Sequence, residues 1–497
     1  MTFRSVIPVI RNILIALSVT AAIGLLLSAV TAPAEADVAQ RVALSDGAAD
    51  SAQTRAAAFT QPLSIPPVLS SAHITLTAQL SNVQILAGAK TAMWTYNGAF
   101  PGPTIRRPTG TTTTVTLINS LPITAGDLTL HLHGGHQAAV DDGSPYANLV
   151  APGAQRTYTF PHMEAGAPER GSTEWYHDHL MDETGRNVWM GLAGMYILDD
   201  PADPSSLPNG NFDVPLIIVD RNFSAGNQLN YAFNANGVFG SQLLVNGVPQ
   251  PYMDVAARKY RFRVLNASNM RDYDLKMSTP LSLTQIGTES GLLPAPVTRT
   301  DIPLGPSERA DIVIDFTGLF GQNLVLQNAG GAGNLLDVLQ FRVNSNAADS
   351  GPIPSSLRAL PVQAAPVMTR TFVFGKVSTT WTINNLGFDM NRVDAQPLLG
   401  TTEKWILQNS SSVHHLVHIH GADQILLKRN GAAPAAYELL KETWHIEAGE
   451  TVEILIRFSD YTGRFVFHCH MLEHEDGAMM SQYDVMMQKL FLPLVER

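Results

Sequence analysis

Short runs in which apolar and polar residues alternate dominate this chain, and the alternation recurs in threes. Trp94-Thr-Tyr-Asn97-Gly98, Leu244-Val-Asn246-Gly247 and Thr382-Ile-Asn384-Asn385 each read as the end of a strand entering a tight turn. A second signal follows each one: Val115-Thr-Leu-Ile-Asn119, Arg263-Val-Leu-Asn266 and Trp405-Ile-Leu-Gln-Asn409. A third completes the set, a glycine turn running into an alternating strand at Gly153 to Phe160, Gly305 to Phe316 and Gly449 to Phe458. Period-two alternation marks half-buried strands, and long helical periodicity is largely absent. Three signals in one order, three times over, predict an internal repeat, and each unit has the size of a Greek-key β-sandwich. The expected domains are 70–203, 204–360 and 361–497, with proline-rich seams at Pro201-Ala-Asp-Pro204 and Pro352-Ile-Pro354.

Length agrees, because 497 residues exceed what one hydrophobic core organises. Residues 37–69 are rich in Ala, Ser, Thr and Pro and read as a flexible lead-in. Before them, Arg4 and Arg11 precede the apolar run Ile13 to Val30, and Ala34-Glu35-Ala36 offers small residues for cleavage. Residues 1–36 therefore read as a signal peptide, which predicts an exported protein, periplasmic, extracellular or at the cell surface. The run is also long enough to serve as an uncleaved anchor. A formal net charge of −11 argues against nucleic-acid binding, which needs a basic face.

The chemistry concentrates in Val466-Phe-His-Cys-His-Met-Leu-Glu-His-Glu-Asp-Gly-Ala-Met479. It contains the only cysteine, Cys469, so an exported chain has no intramolecular disulfide and the thiol needs another explanation. On a strand, Cys469 faces one way while His468 and His470 share the other face. His474 and Met479 follow, and a thiolate, imidazoles and a long thioether contact form a blue-copper ligand set that still lacks one imidazole. The 15 histidines are absent between His179 and His414, so the middle domain supplies none. The outer domains hold four His-x-His pairs: His131/His133, His177/His179, His418/His420 and His468/His470. Each pair on a strand points both rings one way, which suits a multinuclear metal site between the first and third domains. His415 faces away from His418 and His420 and is the candidate for the missing imidazole, and the parity of neighbouring His414 is wrong for that role.

Together with Tyr96-Asn-Gly-Ala-Phe-Pro-Gly-Pro-Thr-Ile-Arg106, these motifs resemble the three-domain multicopper oxidases, the laccase-like group that includes bacterial spore-coat laccase, bilirubin oxidase and cuprous oxidase. One position departs: the proline usual after the first histidine of the third motif is Leu416 here. The resemblance implies an all-β chain of three cupredoxin-like Greek-key β-sandwich domains and copper as cofactor, four ions per chain. The type 1 copper would take His415, Cys469 and His474, with Met479 axial. The type 2 copper would take His131 and His418, and the type 3 pair His133, His177, His179, His420, His468 and His470. Asp142 and Glu475 match acidic positions that assist proton supply, and Cys469 links the two sites. The implied activity couples four one-electron oxidations of a phenolic or aromatic-amine donor to the reduction of O2 to water, in a monomer. A rival class oxidises metal ions, Cu(I) or Mn(II), in metal tolerance. A copper-free scaffold serving assembly or division is opposed by the full ligand set. Outside that set, His136, His162 and His445 read as satisfied surface or turn residues, His73 has no evident role, and Met471, Met480, Met486 and Met487 read as core fillers.

Overall fold

The computed structural model describes residues 58–487, so the expected signal peptide and residues 37–57 of the lead-in lie outside the described residues. Residues 58–69 depart from the expected flexible lead-in, because their backbone groups find partners. The Phe59 and Leu63 N–H groups donate to the Gln250 and Tyr252 carbonyls at 2.8 and 2.6 Å. Leu63 packs on the core of residues 214–343, and Val68 and Leu69 pair in parallel with Thr104 and Ile105.

The repeated sequence signals form repeated strand pairings. His73–Val83 runs parallel to Thr113–Asn119, Asp213–Arg221 to Lys259–Asn266, and Met368–Val377 to Thr401–Asn409. The first strand of each pair also binds antiparallel to Thr91–Tyr96, Gln242–Val245 or Thr380–Ile383. The second binds antiparallel to Gln155–Phe160, Arg309–Asp315 or Thr451–Phe458. The turn asparagines Asn97, Asn246 and Asn384 have φ of 55°, 48° and 54°, a left-handed backbone that asparagine tolerates better than most residues. Their Oδ1 atoms accept the N–H of Thr77, Ile217 and Val373 at 2.7, 2.8 and 2.8 Å, tying turn to strand. Asn119, Asn266 and Asn409, which end the second signal, donate from Nδ2 to the carbonyls of Val150, Leu304 and Ile446 at 2.9, 2.9 and 3.1 Å.

Alternation places one face of each sheet inward, as in Thr113–Asn119, where every second residue is buried. The result is two facing sheets in each of three spans, with strands drawn from 68–199, 213–345 and 368–485. Their cores centre on Leu76, Leu117 and Tyr196; on Phe262, Ile312 and Phe341; and on Trp405, Ile454 and Phe467. Each such apolar side chain stabilises the fold by roughly 1.5–3 kcal/mol through removal from water. Ile85, Met93, Trp175, Leu244 and Leu265 form a further cluster joining the first and second spans.

Register then assembles the histidines. The edge strand His131–His133 pairs with Ser172–His177 so that His131 lies opposite His177. In the last span His415–Ile419 pairs with Gly463–Cys469, setting His418 opposite His468 and Val417 opposite Cys469. Leu416, where proline is usual in the resembled family, pairs with His445 inside this sheet and is fully buried. Among the described residues the two α-helices are short, Thr184–Met190 and Leu472–Asp476, and the second carries His474.

Candidate metal centre

Eight imidazoles from the first and last spans, each at most about 1% exposed, converge with their lone pairs facing one another. Their hydrogen bonds fix which nitrogen is free. His131 Nδ1 donates to the Asp142 carbonyl at 2.6 Å and His418 Nδ1 to the Glu442 carbonyl at 3.0 Å, which leaves their Nε2 atoms 3.4 Å apart. His179 and His468 direct Nδ1 at Glu475 at 3.1 and 2.9 Å, and His420 directs Nδ1 at Asp142 Oδ2 at 2.8 Å. The three Nε2 atoms of that trio therefore meet at 3.2–3.3 Å with no proton between them. His177 donates Nδ1 to the Asp178 carbonyl at 2.8 Å, and its Nε2 has no hydrogen-bond partner. His133 uses Nε2 toward Glu442 and Thr443, both at 3.1 Å, so its bare nitrogen is Nδ1, and Nε2 of His470 is bare as well. Buried acceptors without donors are costly. A set of them facing inward is a cage for cations, and imidazole donors suit copper.

On the opposite face of the Gly463–Cys469 strand, Cys469 Sγ lies 3.5 Å from His415 Nδ1 and 3.7 Å from His474 Nδ1. The Ser411 hydroxyl sits 2.9 Å from His415 Nε2 and turns Nδ1 toward the sulfur. Met479 is fully buried, and its backbone holds both ends of the loop: Cys469 N–H donates to its carbonyl at 3.0 Å, and its own N–H donates to His474 O at 2.9 Å. Burial pushes the Cys469 thiol up to about 12 and His415 down to about 3. The sulfur thus needs a cation to become a thiolate, whereas the imidazoles are already neutral donors.

Two matches to the multicopper oxidase family cover residues 77–203 and 360–489. A laccase of Bacillus stratosphericus is 33% identical over 469 residues, spanning 80% of this chain and 91% of that protein. The bilirubin oxidase of Albifimbria verrucaria is 32% identical over 474 residues, spanning 86% and 81%. The crystal structure of a laccase from Pediococcus acidilactici superimposes with a TM-score of 0.80 at 31% identity, covering 87% of this chain and 95% of that one. The chain belongs to the multicopper oxidases.

Multicopper oxidases carry copper and use O2, and the three sandwiches of this oxidase are cupredoxin-like Greek-key domains. Asp142 and Glu475 stand behind the imidazoles. Asp142 supports His131 through its carbonyl and His420 through Oδ2, and its Oδ1 accepts from Gln137 at 2.7 Å. Burial pushes its carboxyl up to about 8. Burial would also raise Glu475, but His468 and His179 outweigh it and hold the carboxyl well below its usual range. Most of the converging imidazoles are held below their usual values by burial and by one another, as at His131, His133, His418 and His420. His179 is the reverse case: burial lowers it, and Glu475 more than compensates.

Residues that sequence reasoning missed complete the oxidase's centre. Glu442 and Thr443 fix the orientation of His133, Ser411 that of His415, and Thr184 donates to Glu475 at 2.9 Å. Trp175 stacks on His177 with centroids 4.2 Å apart, and Trp381 on His474 at the same distance. Ser411 lies two residues past the repeated Asn409, and Trp175 shares a face with His177 two residues on along one strand, signals that could have found both; Glu442, Thr443 and Trp381 come from segments distant from the histidines they meet. Outside the set, His136, His162 and His445 are buried rather than on the surface. His136 reaches Asp460 at 3.0 Å and His162 reaches Tyr196 at 2.7 Å across the fold, while His445 meets its near neighbour Glu447 at 2.8 Å. His414 points away from Cys469, to Asp272 at 3.0 Å. His73 contacts Thr114 at 2.8 Å, Met471 and Met480 are buried, and Met486 and Met487 are 41% and 70% exposed, not core fillers, although the Met486 backbone still pairs with the segment around Leu398.

Proposed function

We propose that the chain holds four copper ions and acts as an exported laccase-like oxidase of phenolic or aromatic-amine donors. His415, Cys469 and His474 with Met479 would hold the type 1 ion. His131 and His418 would hold the type 2 ion, and His133, His177, His470 with His179, His420, His468 the type 3 pair. Bound copper would supply one-electron chemistry, by which four electrons from donor molecules, with four protons, reduce O2 to two waters. One observation carries this reading: a single strand presents Cys469 to one donor set and His468 and His470 to the other, a covalent path between two centres. Met479, the tenth residue past the cysteine, closes the loop over the first set.

The remaining residues hold those donors still. Asp142 and Glu475 fix the Nδ1 protons of His420, His179 and His468, and as buried carboxyl groups against the cage they would pass on the protons that water formation needs. Because one chain supplies the whole donor set, no second copy is required, which supports a monomer. Export rests on Arg4, Arg11 and the apolar run Ile13 to Val30.

Metal analysis of the purified protein should give about four copper ions per chain, with blue absorption from a thiolate–copper bond. Oxygen uptake should follow addition of 2,6-dimethoxyphenol and exceed that with Cu(I) or Mn(II). A chain that holds one copper or none, or a blue protein that turns over none of these donors, would overturn the assignment.

A further inference from the structure

His474, whose Nδ1 lies 3.7 Å from Cys469 Sγ, is only 2% exposed. Trp381 covers it at a centroid distance of 4.2 Å and an interplanar angle of 33°. The indole N–H donates to the Ala235 carbonyl at 2.6 Å, which clamps Trp381 between the hairpin Met368–Val377 and Thr380–Ile383 and a loop of the middle span. Exposed Lys376, on the same hairpin, places its ammonium 4.1 Å from the indole centroid and 3.0 Å from Asn236 Oδ1. The cation–π contact and the amide hold this charge in place. Lys376 makes no ion pair among the described residues, so its charge stays available.

Beside it the surface carries a run of small residues. Ala235, Gly387, Gly477 and Ala478 are all partly exposed. A Cβ at Gly387 would lie 3.5 Å from that of Ala478 and 4.0 Å from the Thr380 methyl, and one at Gly477 would lie 3.9 Å from that of Ala235. Along the chain from these positions, Leu386 and Phe233 are 46% and 52% exposed. A flat, apolar floor of small residues, an aromatic ring leading to His474, and one fixed cation thus meet at a single place.

We propose that this place docks an anionic aromatic donor, a phenol bearing a carboxylate or sulfonate, with Lys376 recognising the anion. The proposal rests on the laccase-like reading above and specifies its substrate class. A planar ring matches the floor, and the acidic group meets an ammonium whose position is already set, so little ordering is required on binding. A metal cation or a cationic amine would instead meet like charge next to the indole.

Two donors with the same ring separate the charge from the ring: 2,6-dimethoxyphenol and syringate, which adds a carboxylate. On the copper-loaded parent, syringate should have the lower KM. In Lys376→Gln the ratio of the syringate KM to the 2,6-dimethoxyphenol KM should rise about fivefold at low salt, more in Lys376→Glu, and the rise should shrink at high ionic strength. Lys90→Gln, an exposed lysine elsewhere, should leave the ratio at the parent value. If the parent oxidises both donors but the ratio in the Lys376 variants does not move, the docking proposal fails and the laccase-like reading stands. If the copper-loaded parent oxidises neither, both fail.

Discussion

Cys469 is one sulfur with two neighbours of opposite allegiance. Replacing it with serine removes the thiolate ligand but none of the imidazoles of the His179, His420 and His468 trio. Cys469→Ser should abolish the blue absorption and the oxidation of organic donors together, while copper content falls by about one ion of four. Surviving activity toward 2,6-dimethoxyphenol would refute the role of this residue. Met479 acts more weakly, because a long thioether contact tunes potential more than it anchors metal. In Met479→Leu a redox titration of the blue absorption should show a higher potential, and an unchanged or lower one would refute the axial assignment.

At the scale of elements, the repeat is built on turns rather than on strands alone. Asn246 holds φ at 48°, accepts the Ile217 N–H at 2.8 Å and donates to the Pro215 carbonyl at 2.9 Å. Alanine would lose both bonds and strain the turn, for about 2–3 kcal/mol; glycine would lose the bonds without the strain. Thermal unfolding should therefore rank parent above Asn246→Gly above Asn246→Ala, and equal losses in the two variants would remove backbone strain from the explanation. These turns were legible beforehand because asparagine before glycine or asparagine is a local signal. The faces of His468, Cys469 and His470 were legible for a similar reason, since alternation on a strand has a fixed period. The partners of those side chains were not. Trp381, Glu442 and Thr443 meet their histidines through pairings and packing between segments far apart in sequence, which no local pattern encodes. The same holds for residues 58–69, whose composition reads as flexible but whose backbone donors find the Gln250 and Tyr252 carbonyls.

Across the whole molecule, buried charge joins the spans that hydrophobic clusters bring together. Asp213 accepts from Arg106 of the first span at 2.7 Å and from Arg263 of its own at 2.9 Å. Burial alone would raise this carboxyl, but Arg263, Arg261 and Arg106 outweigh it and hold it well below the ordinary range. A depressed carboxyl contributes stability that is present above the unfolded value, about 3.9, and lost as pH falls toward the folded value. Asp213→Asn should thus lower the thermal midpoint at neutral pH, and the difference from the parent should narrow below about pH 4. A gap independent of pH would show that the contact acts through shape instead of charge.

The division of the imidazole cage between the first and last spans also orders events during synthesis. His131, His133, His177 and His179 leave the ribosome early and must wait for the middle span, which carries no histidine, before their partners exist. The last imidazole of the cage arrives with His470, and the last residue around Cys469 with Met479, close to the end of the chain. A nascent or prematurely ended polypeptide therefore has no complete copper cage. The donor set is thus complete only after the histidine-free middle span and the strand carrying Cys469 have both been made.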